Sequence, residues 1–524
     1  MNEIARELSK KVSGDLMFDP FSRGRYATDA SIYQMMPVGV LAPRSEDDIL
    51  AAIDVAREQG VPILARGGGT SQCGQTVNEA LVLDNTEHFN DILEHDAANK
   101  SCVVRPGIVL EELNRELKPH GLWFPVDVST ASRATIGGMT GNNSCGGKSI
   151  RYGMMRDNVL SIDAILADGS KHRFGAGLAG QNAAYNALSH DLAAIGQREA
   201  AEIAARFPNV MRRVGGYNID ALTSGPDAQN LAHLLVGSEG TLAYTTAIEL
   251  KLSPLQDGKA LGVCHFPTFY QAMDAAQHLV TLDPEGVELV DHTMIALARD
   301  IPLFAKTIEN FVTGAPEALL LVEFTHANGA QKLKELDQMM GDLGYSWAGT
   351  GKAWGGVKAV TDAGQQGKIA ELRKSGLNIM MSMKTAGKPV SFVEDCAVEL
   401  PDLAAYTAGL TEIFERHGTT GTWYAHASVG CLHVRPVLNL KLDNDVATMR
   451  AIAEECFDLV ARYKGSHSGE HGDGIVRSEF HERMFGSRMV ATFEEVKDRF
   501  DPTGVFNPGK VVNAPKMDDR SLFR

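Results

Sequence analysis

No C-x-x-C pair occurs in this chain, and its seven cysteines, at 73, 102, 145, 264, 396, 431 and 456, are odd in number. Neither a disulfide framework nor a cysteine-rich zinc or iron–sulfur site is implied, and reduced thiols in a cytoplasmic setting are the default. Positive charge is also scarce: 50 Lys and Arg stand against 66 Asp and Glu, for a formal net charge of −16. With no basic tract, a general nucleic-acid binder and a polybasic membrane surface are both disfavoured. No apolar run approaches bilayer-spanning length, so any membrane contact would be peripheral. The opening Met1-Asn2-Glu3-Ile4-Ala5-Arg6-Glu7 is a charged helical pattern and not a signal peptide. Despite 52 glycines there is neither a P-loop nor a G-x-G-x-x-G fingerprint. What remains is an ordinary soluble composition, 44% hydrophobic over 524 residues, long enough for several domains with ample core.

The glycines are grouped. Residues 1–30 read as a short helix and a loop. Ser45 then precedes Glu46-Asp47-Asp48 and an apolar stripe at Ile49, Ala52, Ile53 and Ala56, with Gly60 at the end. This is an N-cap, an acidic first turn, one buried helix face and a C-cap. A short strand at 61–65 runs into Arg66-Gly67-Gly68-Gly69-Thr70-Ser71-Gln72-Cys73-Gly74. Consecutive glycines after a strand let backbone N–H groups crowd around an anion such as a diphosphate, and Thr70 and Ser71 add hydroxyls; a plain glycine turn is the alternative. A second cluster, Ala134-Thr135-Ile136-Gly137-Gly138-Met139-Thr140-Gly141-Asn142-Asn143-Ser144-Cys145-Gly146-Gly147, follows Trp123-Phe124-Pro125. Then come a strand-like run at 159–166 with an Asp168-Gly169 turn, and a third cluster, Val236-Gly237-Ser238-Glu239-Gly240-Thr241. Three polar glycine loops beside strands suit one long cofactor wrapped by many backbone amides.

A different pattern appears near the C-terminus. His426 and His433 lie seven positions apart across a Ser428-Val429-Gly430 break, which reads as a turn between two short strands, and Glu470-His471 follows one helix later. Two imidazoles and a carboxylate form a common three-ligand set for Zn²⁺ or a similar divalent ion, leaving His471 as a general base. The same residues also suit ordinary satisfied histidines.

The loops Arg66–Ser71, Ala134-Thr135-Ile136-Gly137-Gly138, Gly141-Asn142-Asn143-Ser144-Cys145-Gly146 and Gly237-Ser238-Glu239-Gly240-Thr241, in this order, resemble the FAD-binding domain of the vanillyl-alcohol oxidase / p-cresol methylhydroxylase superfamily. Within it the chain is similar to the FAD-linked D-2-hydroxyacid dehydrogenases acting on D-lactate, D-2-hydroxyglutarate or glycolate. The resemblance implies an α+β fold: an FAD-binding domain at 1–255, an antiparallel-sheet cap (substrate) domain with helices on one side at 256–500, and a C-terminal return at 501–524. It implies FAD held by Arg66, Gly67, Gly68, Gly69, Thr70, Ser71, Gly74, Pro125, Thr135, Gly137, Gly138, Asn142, Ser144, Gly146, Gly240 and Asn507, and non-covalent binding is expected because no His occurs at 66–74 or 134–147, where covalent relatives often attach the flavin. Cys73 and Cys145 are the only chemically plausible covalent anchors in the loops.

His426, His433 and Glu470 match the family's metal-ligand positions, with Zn²⁺ the expected ion, and His471 matches its catalytic histidine. Arg373, after Leu372, matches a substrate-binding arginine; without the resemblance it would be a helix-surface charge. Residues 392–398 resemble a cap strand, with Glu399 where the family usually has proline. Arg435-Pro436 departs from the family pattern, so Arg435 is either a cation for a second substrate carboxylate, alongside Lys384 and Lys388, or a structural arginine. The implied activity is oxidation of a D-2-hydroxy acid, D-lactate first, to the 2-oxo acid by hydride transfer to flavin N5. D-2-hydroxyglutarate oxidation and a passive flavin electron-transfer subunit are the alternatives. The acceptor would be a quinone, a cytochrome or an iron–sulfur module, since residues 514–524 resemble the junction at which longer relatives continue into an iron–sulfur domain. A homodimer and peripheral membrane association remain open, and no nucleic-acid partner is expected.

Overall fold

The computed structural model describes residues 3–177, 182–223, 230–256, 258–325 and 328–524. The opening residues form a helix, Glu3–Lys11, followed by a strand, Asp15–Met17, and a second short helix, Pro20–Arg25. Met1 and Asn2 lie outside the described residues. The helix Glu46–Gln59 begins where its sequence signals place it: Ser45 accepts from the Asp48 N–H, and Gly60 closes it in the left-handed region at φ 63°. Its stripe Ile49, Ala52, Ile53 and Ala56 is buried against Leu41, Leu81 and Leu83 of the first sheet.

That sheet has four strands in the order Asp15–Met17, Gly39–Ala42, Leu81–Asp84, Ile63–Arg66, with the last three parallel. The strand expected at 61–65 begins two residues later because Pro62 has no N–H to donate to a ladder. Its free edge is covered from the far end of the chain: Ile63 N–H donates to Val505 O, and Asn507 N–H to Ile63 O. A second, five-stranded antiparallel sheet runs Ile92–Asp96, Ser101–Val104, Tyr244–Lys251, Val159–Ile165, Lys171–Gly175.

The remaining large sheet has seven antiparallel strands in the order Gly356–Val360, Ala260–Phe266, Ala318–Phe324, Gly286–Asp291, Gly421–His426, Cys431–Leu438, Lys388–Pro389. Helices lie on both of its faces, not on one. Val263, Val290, Leu319 and Leu321 pack with residues of helices His292–Arg299, Pro302–Phe311 and Ala363–Lys374. Cys264, Leu289, Leu320 and Val322 pack with those of Phe269–Leu279, Gly329–Asp342 and Leu403–Arg416. Strands 260–266 and 286–291 are buried at every residue, so each face needs its own apolar cover.

The expected strand at 392–398 is absent. Asp395 takes φ 60°, which breaks extended backbone, and only Ala397 forms isolated bridges, to Cys431 and Ser466. Among the described residues no helix is long and apolar enough to cross a membrane.

Candidate functional site

Strand pairing builds the centre of the site. The turn at 427–429 joins strands Gly421–His426 and Cys431–Leu438, with Gly430 in the left-handed region at φ 65°. Side chains of paired residues share a sheet face. Register therefore sets His433 beside Tyr424, Arg435 beside Thr422, and Glu288 beside His426, all on one face. The third component arrives on the segment after helix Asp443–Arg462. There the Asp395 carboxylate accepts the N–H groups of Gly469, Glu470 and His471 at 3.2, 2.8 and 2.7 Å, while buried Arg477 pairs with its other oxygen at 2.7 Å. The left-handed turn that removed a strand thus holds the Glu470-His471 backbone in place.

Glu470 Oε2 lies 3.1 Å from His426 Nε2 and 3.3 Å from His433 Nε2. Tetrahedral ligands at zinc–ligand bonds of about 2.0–2.1 Å are separated by roughly 3.3 Å. Glu288 is bound to the other ring nitrogen: both of its oxygens lie against His426 Nδ1, at 2.9 and 3.0 Å, and it accepts the Tyr424 hydroxyl. In a neutral imidazole this fixes the proton on Nδ1 and turns a lone pair at Nε2 toward Glu470. Two acceptors then face each other in a buried space, and Glu470 Oε2 has no hydrogen-bond partner among the described residues. The arrangement fits a cation between them.

The electrostatics agree. Burial disfavours an imidazolium at His426, but Glu288 and Glu470 outweigh it and raise its pKa to about 9. His433 is shifted down by burial. Glu470 stays well below the ordinary carboxylate range because His426 and His433 overcome its burial. A proton on His426, or a divalent cation in its place, stands between two carboxylates, Glu470 and Glu288, which also meet Arg212 and Arg373 at 3.5 Å.

His471 stands next to this group, its ring centroid 5.0 Å from that of His433. Its Nδ1 is 3.0 Å from Oε1 of Glu394, which is fully buried, so Nε2 is left for a substrate proton. Burial lowers the His471 pKa, and Glu394 more than reverses this. The second oxygen of Glu394 is 2.5 Å from Arg435 Nε. Arg435 is thus a committed ion-pair partner and not a free cation. Arg373 is the opposite case. Its one ion pair among the described residues is with Glu288, at 3.5 Å, with Tyr424, Asp127 and Glu323 near enough to stabilise its charge, and no side-chain hydrogen bond takes up its fork. Lys388 pairs in register with Leu438, on the sheet face away from His433, and its ammonium donates to Met383 O. Lys384 is exposed.

A cleft runs to Glu470 and His471 from the glycine loops. It is lined by Gly67, Gly68, Gly69, Thr70, Ser71 and Gln72 on one side and by Val128, Thr130, Thr135, Gly138, Asn142 and Ser144 on the other. The backbone N–H groups of Gly68, Gly69, Thr70 and Ser71 donate to no group among the described residues, as an anion cradle requires. The two loops touch: a Cβ on Gly67 would meet Thr135 Oγ1 at 2.0 Å, and one on Gly68 would meet Arg133 O at 2.2 Å. These features fit a diphosphate-bearing cofactor.

Other expected cofactor residues lie outside the lining of this cleft. Arg66 is buried and donates to the carbonyls of Tyr26, Thr28 and Thr76. Asn507 donates to Gln75 O and Glu239 O and accepts from Asn78, so its amide is fully engaged. Gly74, Pro125, Gly137, Gly146 and Gly240 are not among the cleft-lining residues. Gly137 and Gly146 are small because Pro106 and Asp127 press against them. Cys73 and Cys145 lie behind the loops, in contact with buried Arg477 and Arg212.

Sequence reasoning missed Glu288, Glu394, Asp395 and Arg212, the last 3.5 Å from Glu470. Glu288 and Glu394 stand in runs that read as plain strands. The available signal was a charge placed within an otherwise apolar strand, which is costly to bury without a partner.

Two family descriptions match the chain. Residues 37–175 match the family described as an FAD binding domain, and residues 255–511 match the FAD linked oxidases, C-terminal domain. A D-2-hydroxyglutarate dehydrogenase of Pantoea ananatis is 31% identical over 522 residues, covering 95% of this chain and 50% of that protein. The chain therefore spans about half the length of such relatives. A D-lactate dehydrogenase of Archaeoglobus fulgidus is 28% identical over 476 residues, covering 90% of this chain and 91% of the relative. The solved structure of p-cresol methylhydroxylase superposes with a TM-score of 0.69 at 12% identity, over 98% of this chain and 96% of that one, and so shares the fold.

Proposed function

We propose that this chain, which belongs to the FAD-linked oxidases, is a dehydrogenase that oxidises a D-2-hydroxy acid to the 2-oxo acid. One observation carries the reading: the cleft that starts at the free N–H groups of Gly68, Gly69, Thr70 and Ser71 ends at His471, beside the His426, His433 and Glu470 cluster. Bound FAD supplies the hydride acceptor, and a divalent cation, Zn²⁺ in this proposal, supplies positive charge at the substrate hydroxyl.

The chain's own residues do the rest. Gly67 to Ser71, with Thr135, Gly138, Asn142 and Ser144, hold the cofactor along the cleft. His426, His433 and Glu470 hold the cation, with Glu288 fixing the His426 tautomer. Arg373 takes the substrate carboxylate through its open fork. His471 Nε2 accepts the hydroxyl proton as the C2 hydride leaves, while Glu394 holds Nδ1 and stabilises the imidazolium that forms.

D-lactate is the first substrate in this reading. Arg435 is already paired with Glu394, and the D-lactate dehydrogenase relative is matched over most of its length. D-2-hydroxyglutarate is the second reading, favoured by the names of several relatives near 30% identity. The acceptor in this proposal is a quinone, a cytochrome or an iron–sulfur module.

The test is anaerobic addition of D-lactate, D-2-hydroxyglutarate and glycolate to the FAD-loaded protein, following flavin absorbance near 450 nm. Bleaching by a D-acid and not by its L-enantiomer supports the reading. No bleaching with any acid, in protein that dithionite reduces and that then passes electrons to a dye, would make it a passive electron-transfer subunit.

A further inference from the structure

Arg435 sits in the centre of a chain of polar contacts that crosses from the cofactor cleft to the proposed base. Gln72, the last lining residue of the glycine loop, accepts through Oε1 from Ser391 Oγ at 3.0 Å and from Arg435 Nη2 at 3.3 Å. Arg435 Nε in turn donates to Ser391 Oγ at 3.0 Å and lies 2.5 Å from Glu394 Oε2. Glu394 Oε1 meets His471 Nδ1 at 3.0 Å. Glu394 and Arg435 are 0% and 5% exposed, so neither has solvent to replace a lost partner. Gln72 and Ser391 hold the guanidinium over one carboxylate oxygen, which leaves the other oxygen for His471. Without them, the guanidinium is free to rotate and take both oxygens in a two-pronged pair, the geometry Arg prefers.

From this relay we infer that Gln72 is a positioning residue for His471. It acts through Arg435 and Glu394, and makes the alignment of the base depend on the cofactor loop being in place. The inference rests on His471 being the base. It assigns Arg435 to the relay and not to a second substrate carboxylate.

The test is a double-mutant cycle on FAD-loaded protein, reading the limiting rate of flavin reduction in stopped flow and the substrate Kd from its concentration dependence. Gln72→Met keeps the side-chain length and removes the acceptor. It is expected to slow reduction about tenfold, the scale of a small misalignment of a reacting group. Substrate Kd and FAD content should stay within about twofold, and the solvent deuterium isotope effect on reduction should rise as proton transfer becomes harder. Because Gln72 acts only through Arg435, Gln72→Met combined with Arg435→Met should be no slower than Arg435→Met alone. Arg435→Lys is the background to use if Arg435→Met does not fold, since it keeps a charge for Glu394.

Multiplying effects in the double variant, a wild-type rate in Gln72→Met, or a loss confined to Kd or FAD content would each overturn the inference. If no acid reduces the wild-type flavin, the proposed function fails on its own. The relay is then read from a crystal structure of FAD-loaded Gln72→Met: a guanidinium displaced on Glu394 supports it, and an unmoved one overturns it.

Discussion

Metal binding at His426, His433 and Glu470 should depend steeply on pH, and the charge arrangement sets the size of the effect. His426 binds a cation only after losing its proton. Burial disfavours that proton, but Glu288 and Glu470 hold it, so the pKa stands at about 9. His433 is shifted down and Glu470 stays ionised, so neither adds a proton to be displaced above pH 6.5. Apparent affinity should therefore rise tenfold per pH unit up to about pH 9 and level off above it. Between pH 7 and pH 9, where half the imidazolium has lost its proton, this is roughly fiftyfold, or about 2.3 kcal/mol. The assay is competition with a chromophoric chelator, using Co²⁺ or Zn²⁺ and FAD-loaded protein, from pH 6.5 to 9.5, corrected for the chelator's own protonation. Glu288→Gln should move the break to lower pH, because one of the two charges holding the proton is gone. A flat profile from pH 7 to 9, or a break near the ordinary histidine value of about 6.5, would refute the reasoning. In metal-free protein the sign reverses. The raised His426 pKa contributes stability that is fully present below about pH 6.5 and lost as pH rises through about 9.

Replacing His471 with Asn should leave FAD and metal content unchanged and slow flavin reduction by roughly 10²–10⁴-fold in stopped flow, the usual worth of a general base. Gly68→Ala should purify with little or no FAD, seen as a lost 450 nm band, because its Cβ would meet Arg133 O at 2.2 Å and push apart the two loops of the cleft. Acid precipitation of the wild type should release yellow flavin to the supernatant, since Cys73 and Cys145 are buried behind the loops; colour retained in the pellet would indicate a covalent link.

Much of the framework was legible along the chain because it is local. The Ser45 cap, the Ile49, Ala52, Ile53 and Ala56 stripe and the Gly60 stop each act within a few residues, and the helix starts and ends on them. The glycine loops and the His426–His433 turn are likewise short-range signals. Other features needed the third dimension. Helices on both faces of the cap sheet go with strands buried at every residue, an environment made by pairing across the chain: Gly286–Asp291 lies between Ala318–Phe324 and Gly421–His426. The site's carboxylates show the same limit. Glu288 reaches His426 across 138 positions, and Asp395 collects N–H groups from residues 75 and 76 positions away. Residue type and spacing determined which side chains were able to bind a cation or move a proton. Only tertiary structure decided their states, because an imidazole's tautomer and charge are set by the carboxylates packed against it. The same packing spent Arg435 on Glu394 and left Arg373 open.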